Sequence, residues 1–214
     1  MRLPHHPQAL AALRAPSARE PLRLLVSGCL AGRPCGVNGS DYGLGAPLAT
    51  LLALPAVSVA AFCPEEQALG TPRTMPDIHG GDGHDVLDGR ARVLDEHGRD
   101  LTERMIAGAK AMLEVALAHR AELALLTDMS AACGSQVVSA GCRLVAERRF
   151  TPSVGVATAL LLRNGIPVLS QRDHRSLDRL RALLDPEHQP DAALRDYHET
   201  EWYLATFAPR APGA

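Results

Sequence analysis

The stretch that decides the fold is AELALLTDMSAACG, residues 121–134. Its apolar first half is typical of a short buried strand, and its second half is a loop of small residues around Cys133. Structural cysteines usually lie inside apolar runs, whereas this thiol follows the end of one. The stretch therefore predicts a strand whose carboxyl end presents a thiol to a functional site.

Three other apolar runs share this character, and helical patterns separate them. The predicted strands are residues 22–28, 56–62, 121–128 and 166–170. The predicted helices are residues 43–55, 100–120 with Thr102 as N-cap, 151–165, 175–184 and 191–206. Strands that alternate with helices of this length favour βαβ units. We predict an α/β fold, Rossmann-like, with a short, mostly parallel sheet flanked by helices.

Two segments interrupt the alternation. Residues 71–100 are rich in Gly, Pro and Asp around a strand-like ARVL, which predicts a flap or hairpin insertion over the sheet end. Residues 142–150 predict a further short strand, half of a hairpin. We expect residues 1–20 to form a flexible tail and residues 21–214 a single domain.

Composition narrows the classes of function. The formal net charge is -2 and aromatic residues make up 3% of the chain, which argues against long nucleic acids and against a base-stacking surface. No apolar run reaches the length of a membrane span. An odd number of cysteines, five, without an export signal predicts reduced thiols and a cytoplasmic location.

Three of the cysteines follow predicted strands: Cys29, Cys63 and Cys133. The carboxyl ends of parallel strands meet at one edge of a sheet, so these thiols are expected to share one crevice. Three thiolates favour a metal centre with one open position, whereas isolated cysteines are usually ordinary core residues. Cys35 is a possible fourth ligand or supporting thiol, and Cys142, on a strand-like run, is expected to be structural.

Four motifs occur in a characteristic order. They are LLVSGCLAGRPCGVNG (24–39), FCPEEQALGTPR (62–73), GGDGHDVLDGRARVLDEHGRDLT (80–102) and MSAACGS (129–135). In this order and at these intervals they resemble the DUF523 family, which includes thiouracil desulfidases that carry a [4Fe-4S] cluster. The chain departs from that pattern at Gly28, at GVNG and at Ala131-Ala132.

The resemblance implies roles for individual residues. Cys29, Cys63 and Cys133 are the implied cluster ligands, and Glu65 and Ser130 are the implied catalytic pair. The implied reaction is a non-redox desulfidation of thiouracil or its nucleotide, with the substrate's sulfur bound by the open iron. From sequence alone, Glu65 is better explained as a first-turn carboxylate of a helix, and the alternative explanation of Ser130 is a loop cap.

Other polar residues have weaker signals. Arg73 is a candidate contact for a phosphate or a uracil carbonyl, whereas GGDG (80–83), with Asp82 and Asp85, is more typical of a turn. The alternative function is a non-catalytic regulatory or scaffold protein that binds a metal or a cluster. A thiol-dependent hydrolase is disfavoured because no His lies close to a Cys in the sequence. The sequence does not predict an oligomeric state.

Overall fold

The computed structural model describes residues 10–11 and 13–207. The strands are β1 Leu22–Ser27, β2 Val57–Phe62, β3 Asp77–His79, β4 Arg92–Leu94, β5 Leu123–Leu126, β6 Val137–Ser139, β7 Phe150–Pro152 and β8 Val168–Ser170. The α-helices are α1 Ala49–Leu52, α2 Pro64–Leu69, α3 Gly83–Leu87, α4 Thr102–His119, α5 Val156–Arg163, α6 His174–Leu184 and α7 Glu201–Phe207. Short 3-10 helices span Gly28–Ala31, Ala46–Leu48 and Tyr197–Glu199.

The central sheet contains the four strands that the apolar runs predict. Its order is β2-β1-β5-β8, and every neighbouring pair is parallel. The predicted short parallel sheet flanked by helices is therefore confirmed. Because all four strands run the same way, the residues that follow them lie along one edge of the sheet.

Each face of the sheet is covered by helices, and the alternation of side chains along β1 shows how. Leu25 packs in one buried cluster with Met105 and Met112 of α4 and Leu161 of α5. Leu24 points the other way, into a second cluster with leucines of α6. A parallel strand buried on both sides has a nearly continuous apolar sequence, as LRLLVS does. Strand β2 is the exception, since it lies at the sheet edge and is only partly buried.

Helix α4 matches the predicted segment 100–120, but its start differs from the prediction. Thr102 is the first helical residue, and Leu101 occupies the N-cap position. Asp100 accepts a hydrogen bond from the Thr102 backbone N–H at 2.9 Å, while the Thr102 hydroxyl accepts one from the backbone of Val93. Thr102 thus connects the helix to β4, and the prediction of an N-cap at this residue was wrong.

Four local predictions differ from the structure. Thr151 and Pro152, expected to begin a helix, extend β7 and pair antiparallel with β6, so α5 begins at Val156. Of the strand predicted at 142–150, only the last residue, Phe150, lies in a strand, because β7 begins there. Cys142 lies in a loop. The helix predicted at 191–206 is a 3-10 turn followed by α7, and the one predicted at 43–55 contains only a 3-10 turn and α1.

The Gly- and Pro-rich insertion, residues 71–100, has regular structure of its own. Strands β3 and β4 pair antiparallel on either side of α3. Ile78 and Val93 are buried in the same cluster as α4 and α5, so the segment packs into the core by its apolar side chains. Its action as a flap over the sheet end stays a prediction.

The amino-terminal segment is described in part. Residues 1–9 and 12, with the His5-His6 pair, lie outside the described residues. Beyond them, Arg14 forms an ion pair with Glu122 at 2.7 Å and donates a hydrogen bond to the Pro21 carbonyl. This contact attaches residues 13–20 to the start of β5. Within the residues that the structure covers, no helix is long and apolar enough to span a bilayer.

Candidate functional site

A cavity of about 320 Å³ lies at the carboxyl ends of β1, β2 and β5. Cys29, Cys35, Cys63 and Cys133 all line it, together with Glu65, Arg73 and Ser130. The structure thus brings together every predicted site residue, although they are spread over more than a hundred positions of the chain. It also adds Cys35 to the three strand-end thiols.

Cys29 lies in the 3-10 turn Gly28–Ala31, directly after β1. Its Sγ is 2.9 Å from the Thr127 hydroxyl, which follows the neighbouring strand β5. A hydrogen bond with Cys35 lowers the pKa of Cys29 to about 7, although burial opposes the shift, and Thr127 lowers it further. This shift favours the thiolate, which is the form that binds metals.

Cys63 occupies the N-cap of α2, where Pro64 is the first helical residue. Its Sγ accepts a hydrogen bond from the Glu66 backbone N–H at 3.3 Å. A hydrogen bond with Cys35 is again the largest cause that lowers the pKa of Cys63. The same two hydrogen bonds raise the pKa of Cys35, because its proton is shared with Cys29 and Cys63. Cys35 therefore lies between the two strand-end thiols.

Cys133 lies in the loop between β5 and β6, and a buried carboxylate holds this loop in shape. Asp128 Oδ1 accepts hydrogen bonds from the backbone N–H groups of Met129, Ser135, Gln136 and Val137 at 2.9–3.2 Å. Burial raises the pKa of Asp128 and that of the Cys133 thiol. Sequence reasoning missed Asp128, and its only signal was an acidic residue at the end of the predicted strand 121–128.

Glu65 is the central polar group of the cavity. Its Oε1 accepts a hydrogen bond from the Ser130 hydroxyl at 2.7 Å, and its Oε2 accepts one from Arg73 Nη2 at 2.7 Å. The Glu65 and Arg73 side chains are only 10% and 5% exposed. Ser130 Oγ in turn accepts the backbone N–H of Cys133 at 2.9 Å, which ties Glu65 to the cysteine loop.

Glu66 provides a comparison within the same helical turn. It forms an ion pair with Arg33 at 2.7 Å on the surface, and its side chain is 31% exposed. Both glutamates lie at the start of α2, where carboxylates are favourable. Only Glu65 points into the cavity, so its position is not explained by helix stabilisation alone.

Arg73 lines the cavity, and its predicted contact with the substrate stays a prediction. Its Nη1 donates to the carbonyl of Cys35 at 2.9 Å and to that of Gly70 at 3.2 Å, while Nη2 is occupied by Glu65. The guanidinium therefore joins the Cys35 loop to Glu65. Removing it would leave a buried carboxylate without its charge partner, so we regard Arg73 as a positioning residue.

Arg143 and Met129 also line the cavity, and sequence reasoning missed both. Arg143 forms an ion pair with Asp77 of β3 and donates to the Met129 carbonyl at 2.6 Å. This arginine therefore connects the insertion to the loop that carries Ser130 and Cys133. No local sequence pattern indicates such a bridge, because its partners lie 66 and 14 residues away.

The donor set suits an iron–sulfur cluster chemically, because thiolates are the usual ligands of such clusters. Among the described residues, no three His, Cys, Asp or Glu side chains form a group that could hold one metal ion. A single tetrahedral ion needs all its sulfur ligands about 2.3 Å from one centre. In an iron–sulfur cluster each thiolate binds a different iron, so the sulfur ligands lie farther apart. Four thiols line one cavity and are available as ligands of this kind.

Two predicted features lie elsewhere. Cys142 is not among the residues that line the cavity. Asp82, in GGDG, is the N-cap of α3, and Asp85 completes its capping box, as expected for turn residues. All five cysteines are free.

Comparisons with known proteins agree with this architecture. A family model described as 2-thiouracil desulfurase matches residues 24–173. The uncharacterized protein YbbK of Bacillus subtilis (strain 168) is 34% identical over 151 residues, which are 70% of this chain and 96% of that protein. A solved structure, the [4Fe-4S]-dependent thiouracil desulfidase TudS, is similar with a TM-score of 0.59 and 30% identity, over 76% of this chain and 99% of that one. The chain therefore belongs to the 2-thiouracil desulfurase family.

Proposed function

We propose that the protein is a [4Fe-4S]-dependent desulfidase that hydrolyses thiouracil, or its nucleotide, to the uracil form and hydrogen sulfide. The observation that carries this proposal is the Ser130–Glu65–Arg73 chain of hydrogen bonds, which ends in the same cavity as four thiols. Family membership and the similarity to TudS support it.

Cys29, Cys63 and Cys133 are the proposed cluster ligands. They come from the ends of three neighbouring strands and surround one cavity, whereas Cys35 lies between two of them as a supporting thiol. When bound, the cluster supplies a Lewis-acidic iron for the substrate's sulfur. The lowered pKa of Cys29 and of Cys63 favours their thiolate forms before the cluster is inserted.

The reaction exchanges a C=S bond for a C=O bond without net redox change. The oxygen of a water forms a bond to the ring carbon, the carbon–sulfur bond breaks, and the sulfur leaves as hydrogen sulfide with the two protons of the water. Glu65 is the proposed general base that accepts a proton from this water. Ser130 and Arg73 each hold one of its oxygens, so the remaining lone pairs of the carboxylate have a fixed direction.

Burial of the charged groups favours this chemistry. Glu65 and Arg73 are almost fully buried, and in such surroundings a charge acts more strongly on a bound substrate than it does in water. We expect the reaction to take place in the cytoplasm, where cysteines remain reduced.

The direct test is turnover by protein purified without oxygen. We expect iron and acid-labile sulfide in the purified protein, and release of sulfide and uracil from 4-thiouracil. A zinc-containing protein without labile sulfide would contradict the proposed cofactor. A protein with a complete cluster that releases no sulfide from thiouracil or 4-thio-UMP would favour the non-catalytic alternative.

A further inference from the structure

The cavity that the four thiols line, the thiol cavity, has an apolar part beside its reactive groups. Val37, Tyr42, Leu44 and Met75 contribute to this part. Tyr42 is the only aromatic residue among the described residues that line the cavity. Ligand sites commonly combine apolar walls of this kind with a few polar groups that fix orientation. Tyr42 therefore supplies the ring on which a flat ligand can stack in this cavity.

Most other aromatic residues lie elsewhere. Five of the seven in the chain form one network, Phe150, Tyr197, Trp202, Tyr203 and Phe207. Three of them line a second cavity of about 450 Å³, the aromatic cavity, whose rim carries the exposed Arg148 and Arg172. Met129 lines both cavities, and its sulfur accepts a hydrogen bond from the Tyr197 hydroxyl at 3.6 Å. Tyr42 is not part of this network and belongs to the thiol cavity.

Gly36 determines where the Tyr42 ring lies. A Cβ atom added at Gly36 would lie 2.4 Å from Cε2 and 2.7 Å from Cζ of this ring, so the ring takes the space that a side chain at position 36 would need. The Tyr42 hydroxyl accepts a hydrogen bond from the Val37 backbone N–H at 2.8 Å, which holds the ring at its far end. Gly36 begins GVNG, the segment at which the chain departs from the family pattern. The position of the ring therefore depends on a glycine that belongs to this departure.

The backbone of Tyr42 has an uncommon conformation. Its φ is 55°, in the left-handed region that residues other than glycine rarely adopt. Three of the described non-glycine residues have a positive φ, and two of these, Tyr42 and Met129, line the thiol cavity. Strained backbone of this kind is concentrated at active sites and ligand contacts, where the surrounding structure maintains it. This distribution favours a functional role for Tyr42 over a role in the turn alone.

The Tyr42 ring combines exposure with attachment to the reactive groups. Tyr42 is 50% exposed although it lines the cavity, so part of its ring is available for a further contact. The carbonyl of Val37, whose N–H binds the Tyr42 hydroxyl, accepts a hydrogen bond from the Arg73 backbone N–H at 2.9 Å. Arg73 in turn holds Glu65. A flat ligand that covers the ring would remove its exposed apolar face from water, which stabilises the complex.

We propose that Tyr42 stacks on the pyrimidine ring of the substrate and makes the thiol cavity selective for flat, conjugated rings. The inference rests on the proposed function, to which it adds a residue that recognises the substrate. The low aromatic content argues against an extended base-stacking surface, but one side chain is sufficient to stack on one base. Stacking covers the face of the substrate ring and leaves its edge, with the thiocarbonyl, accessible to Glu65.

The first test compares two ligands without turnover. Uracil and dihydrouracil have the same carbonyl and N–H groups, but only uracil is flat and conjugated around the ring. In calorimetry with protein purified without oxygen, we expect the Kd of uracil to be at least about fivefold lower than that of dihydrouracil, because stacking favours the flat ring. Equal Kd values, or no binding of uracil, would overturn the proposal.

The second test assigns this preference to Tyr42. Tyr42→Leu keeps an apolar side chain without a flat ring and should lose the preference for uracil, whereas Tyr42→Phe keeps the ring and should retain it. Tyr203→Leu is the matched control, since Tyr203 does not line the thiol cavity, and it should also retain the preference. If Tyr42→Leu does not fold, Tyr42→Asn replaces it, because Asn tolerates the left-handed backbone. An unchanged preference without the ring, or an equal loss in Tyr42→Phe, would overturn the proposal.

Turnover separates this proposal from the proposed function. With 4-thiouracil, Tyr42→Leu should raise KM by at least about fivefold while kcat and iron content stay near the wild-type values, because stacking stabilises the bound substrate and the transition state alike. An unchanged KM in an active Tyr42→Leu protein would uphold the proposed function and reject the stacking. If the wild-type protein converts no thiolated substrate, the proposed function fails, and the preference for uracil over dihydrouracil still decides the role of Tyr42.

Discussion

The two cavities that share Met129 are built in opposite ways. In the thiol cavity the charged groups are buried, and Glu65 has a hydrogen-bond partner on each oxygen. In the aromatic cavity the cations are exposed at the rim, and Tyr197 and Trp202 come from the carboxyl-terminal part of the chain. The first arrangement holds the carboxylate oxygens of Glu65 in one position, whereas the second leaves the arginine side chains exposed to solvent.

This difference shows where substitutions should act. Changes in the thiol cavity should affect the cofactor or the rate on every substrate. Changes in the aromatic cavity should leave the cofactor and the rate nearly unchanged. Each prediction below tests one side of this comparison, beginning with the largest expected effect.

The largest effect is expected from the cluster ligands. Cys29→Ala, Cys63→Ala or Cys133→Ala should each abolish the visible absorbance and the iron content of anaerobically purified protein, because each removes one of three thiolates. Cys142→Ala is the control and should keep both, since Cys142 lies outside the cavity. If Cys35→Ala loses its iron and Cys29→Ala retains it, the proposed ligand set is wrong.

Glu65→Gln should have the next largest effect. The amide has nearly the size of the carboxylate but does not accept a proton from water, and loss of a general base costs about 10²–10⁴ in rate. We expect kcat to fall by at least about a hundredfold while iron content and visible absorbance stay unchanged. Glu66→Gln, in the same helical turn, should retain kcat. A normal kcat in Glu65→Gln with a full cluster would leave Glu65 as a structural carboxylate.

Arg73 should affect the rate less, because it acts through Glu65. Loss of a partner that orients an active-site group typically costs roughly 10–100-fold in activity. We expect such a fall in kcat for Arg73→Ala, and a partial recovery for Arg73→Lys, which restores the charge but not the paired geometry. Equal kcat values for the two variants, with equal melting temperatures, would argue that the charge of Arg73 does not position Glu65.

The smallest effect is expected at the boundary between the cavities. Tyr197→Phe removes the hydroxyl that donates to the Met129 sulfur and keeps the ring that stacks on Trp202. A neutral hydrogen bond contributes about 0.5–1.5 kcal/mol, and one to a thioether lies at the low end of that range. We expect the free energy of unfolding to fall by less than about 1 kcal/mol in a denaturant titration. Loss of the cluster in this variant would show that the aromatic cavity also supports binding of the cluster.

Local patterns predicted the four strands of the central sheet correctly, but they did not predict where the neighbouring helices begin. The four apolar runs became four parallel strands because strands buried on both faces have a distinctive continuous sequence. Thr151-Pro152 has the local signal of a helix start but forms β7, because pairing with Val137 and Val138 outweighs a propensity of that kind. Thr102 is not an N-cap for a similar reason, since its hydroxyl accepts a hydrogen bond from the backbone N–H of Val93 in β4.

The sequence by itself determined the parallel sheet, the placement of three cysteines at its strand ends and the family of the chain. Those features depend on hydrophobic periodicity and on motif order, which are local properties. Only the tertiary structure decided that Glu65 and not Glu66 faces the cavity, that Cys35 joins the thiols, and that Arg73 holds Glu65. It alone placed Asp128 at the centre of the cysteine loop and gathered five aromatic side chains into one network. Contacts of this kind join residues that are distant in sequence, so their energies leave no periodic signal along the chain.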